Sequence, residues 1–169
     1  MSAEDRKWLE QALKQYTFND VDRLKEICIE LKGDQAVPAH MGMEKTKILN
    51  LLDELMELLE LHVRNSLNLC LCGGMATIMD IIFNSPYEDA RREACSIFSF
   101  TNQNNLEVQN FTCKLGCMNL LHQYVRETNV KNREGIISAV SSYLRGINTD
   151  GKREFLTEYS GLTFLKAAL

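Results

Sequence analysis

Apolar residues recur along most of this chain at intervals of three and four, the spacing that places them on one face of an α-helix. Three such stripes precede residue 62: Trp8, Leu9, Ala12, Leu13 and Tyr16; Val21, Leu24, Ile27, Cys28 and Leu31; and Ile48, Leu51, Leu52, Leu55, Leu58, Leu59 and Leu61. Residues 33–43, which include two glycines and Pro38, interrupt the pattern and predict a loop. Because β-branched alternation is absent, the chain is predicted to be all-α.

A short motif repeats from about residue 65 onward. Its copies span residues 72–78, 115–121 and 159–165, and they align Gly73 with Gly116 and Ser160, at separations of 43 and 44 residues. Armadillo and HEAT units have a period of about 40–47 residues. A small residue at the turn lets two helices meet at a sharp angle. We therefore predict an armadillo-like α-solenoid: an N-terminal helical cap of residues 1–64, then units near 65–104, 105–148 and 149–169, the last incomplete.

Polar residues form matching stripes on the longer helix of the first two units. The first stripe is Arg92, Ser96, Ser99 and Gln103, with Asn102 directly before Gln103. The second stripe is Glu134, Ser138, Ser141 and Arg145. Solvated helix faces have the same pattern, but solenoids hold partners on the extended concave surface that such helices line. We predict that these nine residues bind a partner.

Composition and charge narrow the classes of protein and of partner that the chain can represent. Apolar residues make up 45% of the chain and charged residues 25%, as in ordinary globular proteins. The net charge of −4 and the lack of a basic cluster disfavour a nucleic-acid partner. No apolar run reaches the ~18 residues of a membrane helix, so no membrane association is expected. A charged, amphipathic opening without a secretory signal predicts a cytoplasmic protein with reduced cysteines.

Residue types capable of chemistry are present but scattered. Cys70 and Cys72, and Cys113 and Cys117, lack the paired spacing of zinc ligands. The three histidines lie on different predicted elements, where each is interpreted as a surface or edge residue, and none has a neighbouring nucleophile. The acidic positions from Asp53 to Glu60 are interpreted as a solvated face of the cap. The sequence thus predicts neither an enzyme nor a metal or cofactor site.

Several segments together resemble one family of armadillo proteins. They are residues 4–13, 20–31, 51–58, 73–75 and 101–105, which follow one another over residues 4–105, most of the length of the chain. Their order and spacing are similar to those of the nucleotide exchange factors of 70-kDa heat-shock chaperones, the heat-shock-protein-binding-protein family. The chain differs in having Cys95, Phe98 and Phe100 where the family has smaller residues, and it ends within the third of about four units.

The resemblance implies a co-chaperone. Such a protein grips one lobe of the chaperone's ATPase domain with its concave wall and displaces the other lobe, so that ADP escapes. The likeliest contacts would be Arg92, Gln103, Glu134 and Arg145.

Two further expectations stay open beside it. One alternative is an armadillo adaptor that holds an extended peptide in the concave groove, with Asn102, Asn105 and Asn148 pairing with the peptide backbone. A third unit that stops early would also expose Leu162, Phe164, Leu165 and Leu169, which predicts weak self-association through the C-terminal repeat.

Overall fold

The computed structural model describes residues 2–33, 37–145 and 149–168, except the side chains of residues 3, 14–19, 167 and 168. This described part is all-helical and contains no strand, which confirms the predicted class. It consists of α1 (Ala3–Lys32), α2 (Ala39–Gly42), α3 (Lys45–Leu61), α4 (Asn65–Leu71), α5 (Gly74–Asn84), α6 (Glu88–Asn102), α7 (Leu106–Lys114), a 3-10 turn (Cys117–Asn119), α8 (Leu120–Arg126), α9 (Val130–Leu144), α10 (Thr149–Thr157) and α11 (Gly161–Ala168).

The first two apolar stripes belong to one helix, α1. Ser2 and Asp5 form a reciprocal capping box at its start, and Gly33, with φ of 68°, ends it. Its C-terminal half is buried through Leu24, Ile27 and Leu31, whereas Trp8 is 69% exposed. Trp8, Leu9 and Leu13 of the N-terminal stripe therefore have helical spacing but remain exposed.

The predicted loop at 33–43 is corrected in part, because α2 occupies Ala39–Gly42. His40 on α2 is fully buried, and its Nε2 lies 2.7 Å from an Asp80 oxygen on α5. The interpretation of His40 as a surface or edge residue is therefore wrong. The Asp80 carboxylate gives the buried imidazole the polar partner that it needs.

The three aligned turn residues share one backbone conformation. Gly73, Gly116 and Ser160 have φ of 81°, 72° and 50°, in the left-handed region. They separate α4 from α5, α7 from the 3-10 turn before α8, and α10 from α11. A left-handed residue changes the direction of the chain at each turn, so the sequence alignment identified positions that share a positive φ.

Three helices of similar length lie side by side in a row. Helix α6 packs against α3 on one side and, in the most extensive helix–helix contact, against α9 on the other. Helix α5 packs on α6, α8 on α9, and α1 on α3 and α5. The predicted boundary at 64/65 falls between α3 and α4, but one apolar core continues across it from Leu24 and Leu55 to Ile97 and Tyr143. The N-terminal segment is thus packed as part of the same body.

In the described residues, no single helix has the length and apolar character to cross a membrane. One pair, Asn65–Leu71 with Gly74–Asn84, meets that test only when taken together, and it is bent by 81°.

Candidate partner-binding surface

The exposed faces of α6 and α9 form the surface that carries most of the predicted site. Because α6 has α3 and α9 beside it and α5 packed on it, its exposed residues are confined to the remaining side. Ser96 and Gln103 are exposed there, and Arg92 and Ser99 are half-buried. On the neighbouring helix Glu134, Ser138 and Arg145 are exposed and Ser141 is half-buried. We call these eight residues, with the two helices that carry them, the α6–α9 face.

Arg92 is held at the start of this face by an ionic network. Its Nη2 lies 2.6 Å from Oδ1 of Asp89, whose other oxygen is 2.5 Å from Nζ of Lys45 on α3. The hydrogen bond from Lys45, with a further bond from Arg92, lowers the pKa of Asp89. Since the three groups are partly exposed, the network orients Arg92 more than it stabilises the fold.

The serines of α6 use their hydroxyl protons within the helix. Ser99 donates to the carbonyl of Cys95 at 2.8 Å, and Ser96 donates to the carbonyl of Arg92 at 3.3 Å. Back-bonding of this kind is common for serine in helices. Each hydroxyl oxygen keeps its capacity to accept, so these two positions present acceptors to a partner.

Asn102 does not belong to the surface, and its assignment as a binding residue is corrected. Its side chain is fully buried, with its amide nitrogen 3.0 Å from the carbonyl of Phe98. Its Oδ1 accepts a hydrogen bond from Thr112 at 2.8 Å. A buried amide needs such partners, so Asn102 serves the connection between α6 and α7.

Gln109 on α7, which sequence reasoning missed, joins the ends of α6 and α9. Its Nε2 lies within 2.9 to 3.3 Å of the carbonyl oxygens of Asn102, Ser142 and Arg145. The carbonyls in the last turn of a helix have no partner within the helix. One buried amide therefore caps both helices and sets the position of Gln103 relative to Arg145. No local sequence signal marks it, since glutamine is common on solvated helix faces.

Helix α3 extends the same row, although the sequence placed it in a separate cap. Asp53, Glu57 and Glu60 are exposed on it and make this end of the row acidic. Glu54 on the same helix is half-exposed but paired: Nε and Nη2 of Arg23 on α1 bind its two oxygens at 2.6 and 2.7 Å. This bidentate pair lowers the pKa of Glu54 and ties α1 to α3.

Two apolar side chains stand among the polar stripes. Phe100 is 40% exposed and Ile137 is 39% exposed. Phe100 follows Ser96 by one helical turn, a signal available in the sequence but outweighed there by the polar pattern. Their presence gives the α6–α9 face apolar anchors of the kind that dominate protein interfaces.

A groove of about 910 Å³ opens where α6 ends and α4 and α7 begin. Its lining comes from two chain segments: Val63, Arg64, Ser66 and Leu67, and Phe100, Thr101 and residues 103–107. Gln103 and Phe100 belong to both the groove and the α6–α9 face, so the two surfaces are continuous.

The asparagines of the adaptor alternative are placed differently from that hypothesis. Asn102 is buried, as described above. Asn105 lines the groove, but its Oδ1 caps α7 by accepting from the backbone N–H of Val108 at 3.3 Å. Asn148 lies outside the described residues.

The chain matches no protein-family model, and a search of curated proteins found no match. Within the described ranges, no group of three or more histidine, cysteine, aspartate or glutamate side chains is arranged to hold a metal ion. The interpretation of the surface therefore depends on its own chemistry.

Proposed function

We propose that this protein is a co-chaperone that binds the ATPase domain of a cytosolic 70-kDa heat-shock chaperone and promotes ADP release. The observation that carries the proposal is the α6–α9 face, where two matching polar stripes lie on adjacent helices with Phe100 and Ile137 among them. Such a mixed surface suits a folded protein partner, because apolar anchors supply affinity and polar residues fix the orientation. Five sequence segments resemble an exchange-factor family, and this resemblance is the basis for the partner that we propose.

An armadillo-like solenoid is the arrangement we propose for the helices. Helices α3, α6 and α9 begin at residues 45, 88 and 130, and α4, α7 and α10 begin at 65, 106 and 149. These intervals, and the left-handed residue at each equivalent turn, support a repeating unit. Contacts of α6 with α3 and α9, and of α4 with α7, are those expected between neighbouring units.

Exchange would follow from thermodynamic linkage. If the α6–α9 face binds the opened form of the ATPase domain more tightly than the closed form, ADP affinity falls by the same factor. Couplings of about 1–3 kcal/mol, or roughly 5–150-fold in affinity, are usual for such effects. The mechanism requires a shaped surface and no catalytic residue.

The test compares two charge reversals of the same kind. Arg145→Glu changes the α6–α9 face, whereas Arg126→Glu changes an exposed arginine at the end of α8. Both arginines lie at the C-terminal end of a helix, so both reversals carry the same small penalty from the helix dipole.

The measurement is the release rate of a fluorescent ADP from a 70-kDa chaperone, with circular dichroism as the folding control. We expect Arg145→Glu to reduce the stimulated rate on the order of tenfold, equivalent to ~1.4 kcal/mol. Arg126→Glu should retain the rate of the unsubstituted protein. Equal rates for both variants, or no stimulation by the unsubstituted protein, would overturn the proposal.

The groove beside α6 favours a second candidate, an adaptor that binds an extended peptide. Amide side chains of Gln103 and Asn104 line it together with the exposed ring of Phe100. Binding measurements separate the candidates, because the adaptor needs only an unstructured peptide and the exchange factor needs the folded ATPase domain.

A further inference from the structure

Two cysteines from distant parts of the chain meet where α1 crosses the α4–α5 turn. The sulfur of Cys28 on α1 lies 3.7 Å from the sulfur of Cys72, although 44 residues separate them. Cys28 is 5% exposed, while Cys72 is half-buried and is the residue that follows α4. The two thiols are thus in contact, and the outer one can be reached from solvent.

Gly74 explains why the turn comes so close to α1. A Cβ at this position would lie 2.4 Å from the Cys28 sulfur and 2.4 Å from a methyl carbon of Leu69. Gly73, which precedes it, has nothing within 4 Å of an added Cβ. Without a side chain at Gly74, the turn packs directly against Cys28, and closing the 3.7 Å contact to an S–S bond requires the two sulfurs to approach by ~1.7 Å.

We propose that Cys28 and Cys72 form a reversible disulfide when the protein meets a hydroperoxide, with Cys72 as the attacking sulfur. The inference does not depend on the proposed co-chaperone function. The link would attach α1 covalently to the turn of the first repeated unit.

The local environment divides the roles between the two sulfurs. Contact with the Cys28 thiol lowers the pKa of Cys72; burial opposes this shift, and the Gly74 N–H and the charge of Lys25 support it. Contact with Cys72 and burial both raise the pKa of Cys28. The thiolate is the reactive form of cysteine, so the more accessible sulfur is also the one with the larger thiolate fraction.

The reaction balances in two steps. The Cys72 thiolate attacks the outer oxygen of the hydroperoxide, an S–O bond forms as the O–O bond breaks, and the departing oxygen takes a proton to leave as water or an alcohol. The Cys28 sulfur then attacks the sulfenic acid, an S–S bond replaces the S–O bond, and hydroxide leaves with the Cys28 proton as water. The two thiols supply the two electrons that reduce the peroxide, and a dithiol reductant restores them.

Peptide mapping tests the link in the full chain. After hydrogen peroxide, we expect a loss of about 2 Da from the intact protein. Trypsin should then release a cross-linked pair of peptides, residues 26–32 with residues 65–91. Because the second peptide contains both Cys70 and Cys72, the variants Cys70→Ser and Cys72→Ser identify the sulfur: the first should keep the cross-link and the second should lose it.

A second readout follows the first chemical step. In Cys28→Ser, a cyclic diketone that traps sulfenic acids should label Cys72, since the thiol in contact with it has been removed. Cys113 is also half-buried and serves as the matched site, which should be labelled far more slowly. The proposal is overturned if the unsubstituted protein stays reduced, if Cys70→Ser abolishes the cross-link, or if Cys113 is labelled as fast as Cys72.

Discussion

Single residues carry recognisable strain and charge in this protein, and Ser160 is the clearest example. It has φ of 50° at the position where the two equivalent turns have glycine. An L-residue with a side chain loses roughly 1–2 kcal/mol in the left-handed region, and glycine does not. The stabilisation expected from glycine at this position is partly offset, because glycine loses more conformational entropy on folding than serine does.

We therefore expect Ser160→Gly to stabilise the protein by about 0.5–1 kcal/mol. Ser138→Gly is the matched control: it makes the same chemical change at an exposed position inside α9, where glycine should cost about 0.5–1 kcal/mol. Urea unfolding followed by circular dichroism measures both. A loss of stability at Ser160 equal to that at Ser138 would contradict the interpretation of the turn.

Glu127 is a buried charge whose partners outweigh its burial. Burial raises the pKa of Glu127. The backbone N–H of Asn129 and the side chains of Arg91 and Asn132 lower it by a larger amount, so the net pKa is below the ordinary value. Arg91 on α6 lies 3.0 Å from its carboxylate. A carboxyl whose pKa is lowered on folding contributes stability above its unfolded pKa, and this contribution disappears as the pH falls through the folded pKa.

Glu127→Gln should accordingly cost about 2 kcal/mol at neutral pH, the usual range for bonds to a charged group. The difference from the unsubstituted protein should shrink at acidic pH, because the pKa of the native carboxyl is lowered and its contribution is lost only as the pH falls through that lowered pKa. Glu134→Gln, at an exposed position on α9, should change little at either pH. Unfolding free energies at the two pH values check this, and a pH-independent difference would exclude the linkage.

Whole helices are held in register by Gln109. Its two amide N–H groups lie within hydrogen-bonding distance of three carbonyl oxygens at the ends of α6 and α9, with one N–H shared, so the same amide caps two helices. Gln109→Met keeps the shape of the side chain and removes the donor, which leaves buried carbonyls unpaired. We expect a loss of about 2 kcal/mol.

Gln123→Met, on a half-buried position of α8, is the control for that change and should cost less than ~0.5 kcal/mol. Hydrogen exchange gives a second measure. Without the Gln109 amide, protection should fall first in the last turns of α6 and α9. Uniform loss of protection along the chain would show instead that Gln109 stabilises the fold as a whole.

At the scale of the whole molecule, α11 presents apolar residues to solvent. Leu162 is 65% exposed and Leu165 is 46% exposed, as predicted. The predicted exposure of Phe164 is wrong, because it is half-buried and packs edge-on against Tyr124 with ring centroids 4.9 Å apart. Leu169 lies outside the described residues. Adjacent exposed leucines favour contact with another apolar surface.

We expect weak self-association through α11, visible as a sedimentation coefficient that rises with protein concentration. Lysine at both Leu162 and Leu165 should abolish this rise. A double lysine variant at Ile29 and Leu71, which are also exposed aliphatic residues, should leave it unchanged. Equal effects of the two double variants would mean that general solubility, and not α11, governs the association.

The surface variants also need controls that respect the tertiary contacts. A charge reversal at Glu54 would break the bidentate pair with Arg23, so it alters the attachment of α1 as well as surface charge. Arg126 avoids this problem, because it changes an exposed helix end away from the α6–α9 face. The contact of Glu54 with Arg23 therefore makes Arg126 the better position for the control.

Local sequence was sufficient for the features that depend on the backbone alone. A period of three to four residues places apolar side chains on one face of a helix in any fold, so the all-helical class followed directly. The recurrence of small residues near 73, 116 and 160 predicted three equivalent turns because a left-handed backbone favours residues with little or no side chain.

Packing between distant segments decided the rest. Trp8 and Leu24 lie on apolar stripes with the same helical spacing, yet Trp8 is 69% exposed and Leu24 is fully buried, because Leu24 packs in the core that α1 shares with other helices. The buried side chain of His40 is paired with Asp80, and the buried side chain of Asn102 is paired with Thr112. Such partners come from other elements of the fold, where burial makes an unpaired polar group costly. No periodicity along the chain encodes them, because they arise only when the helices are assembled.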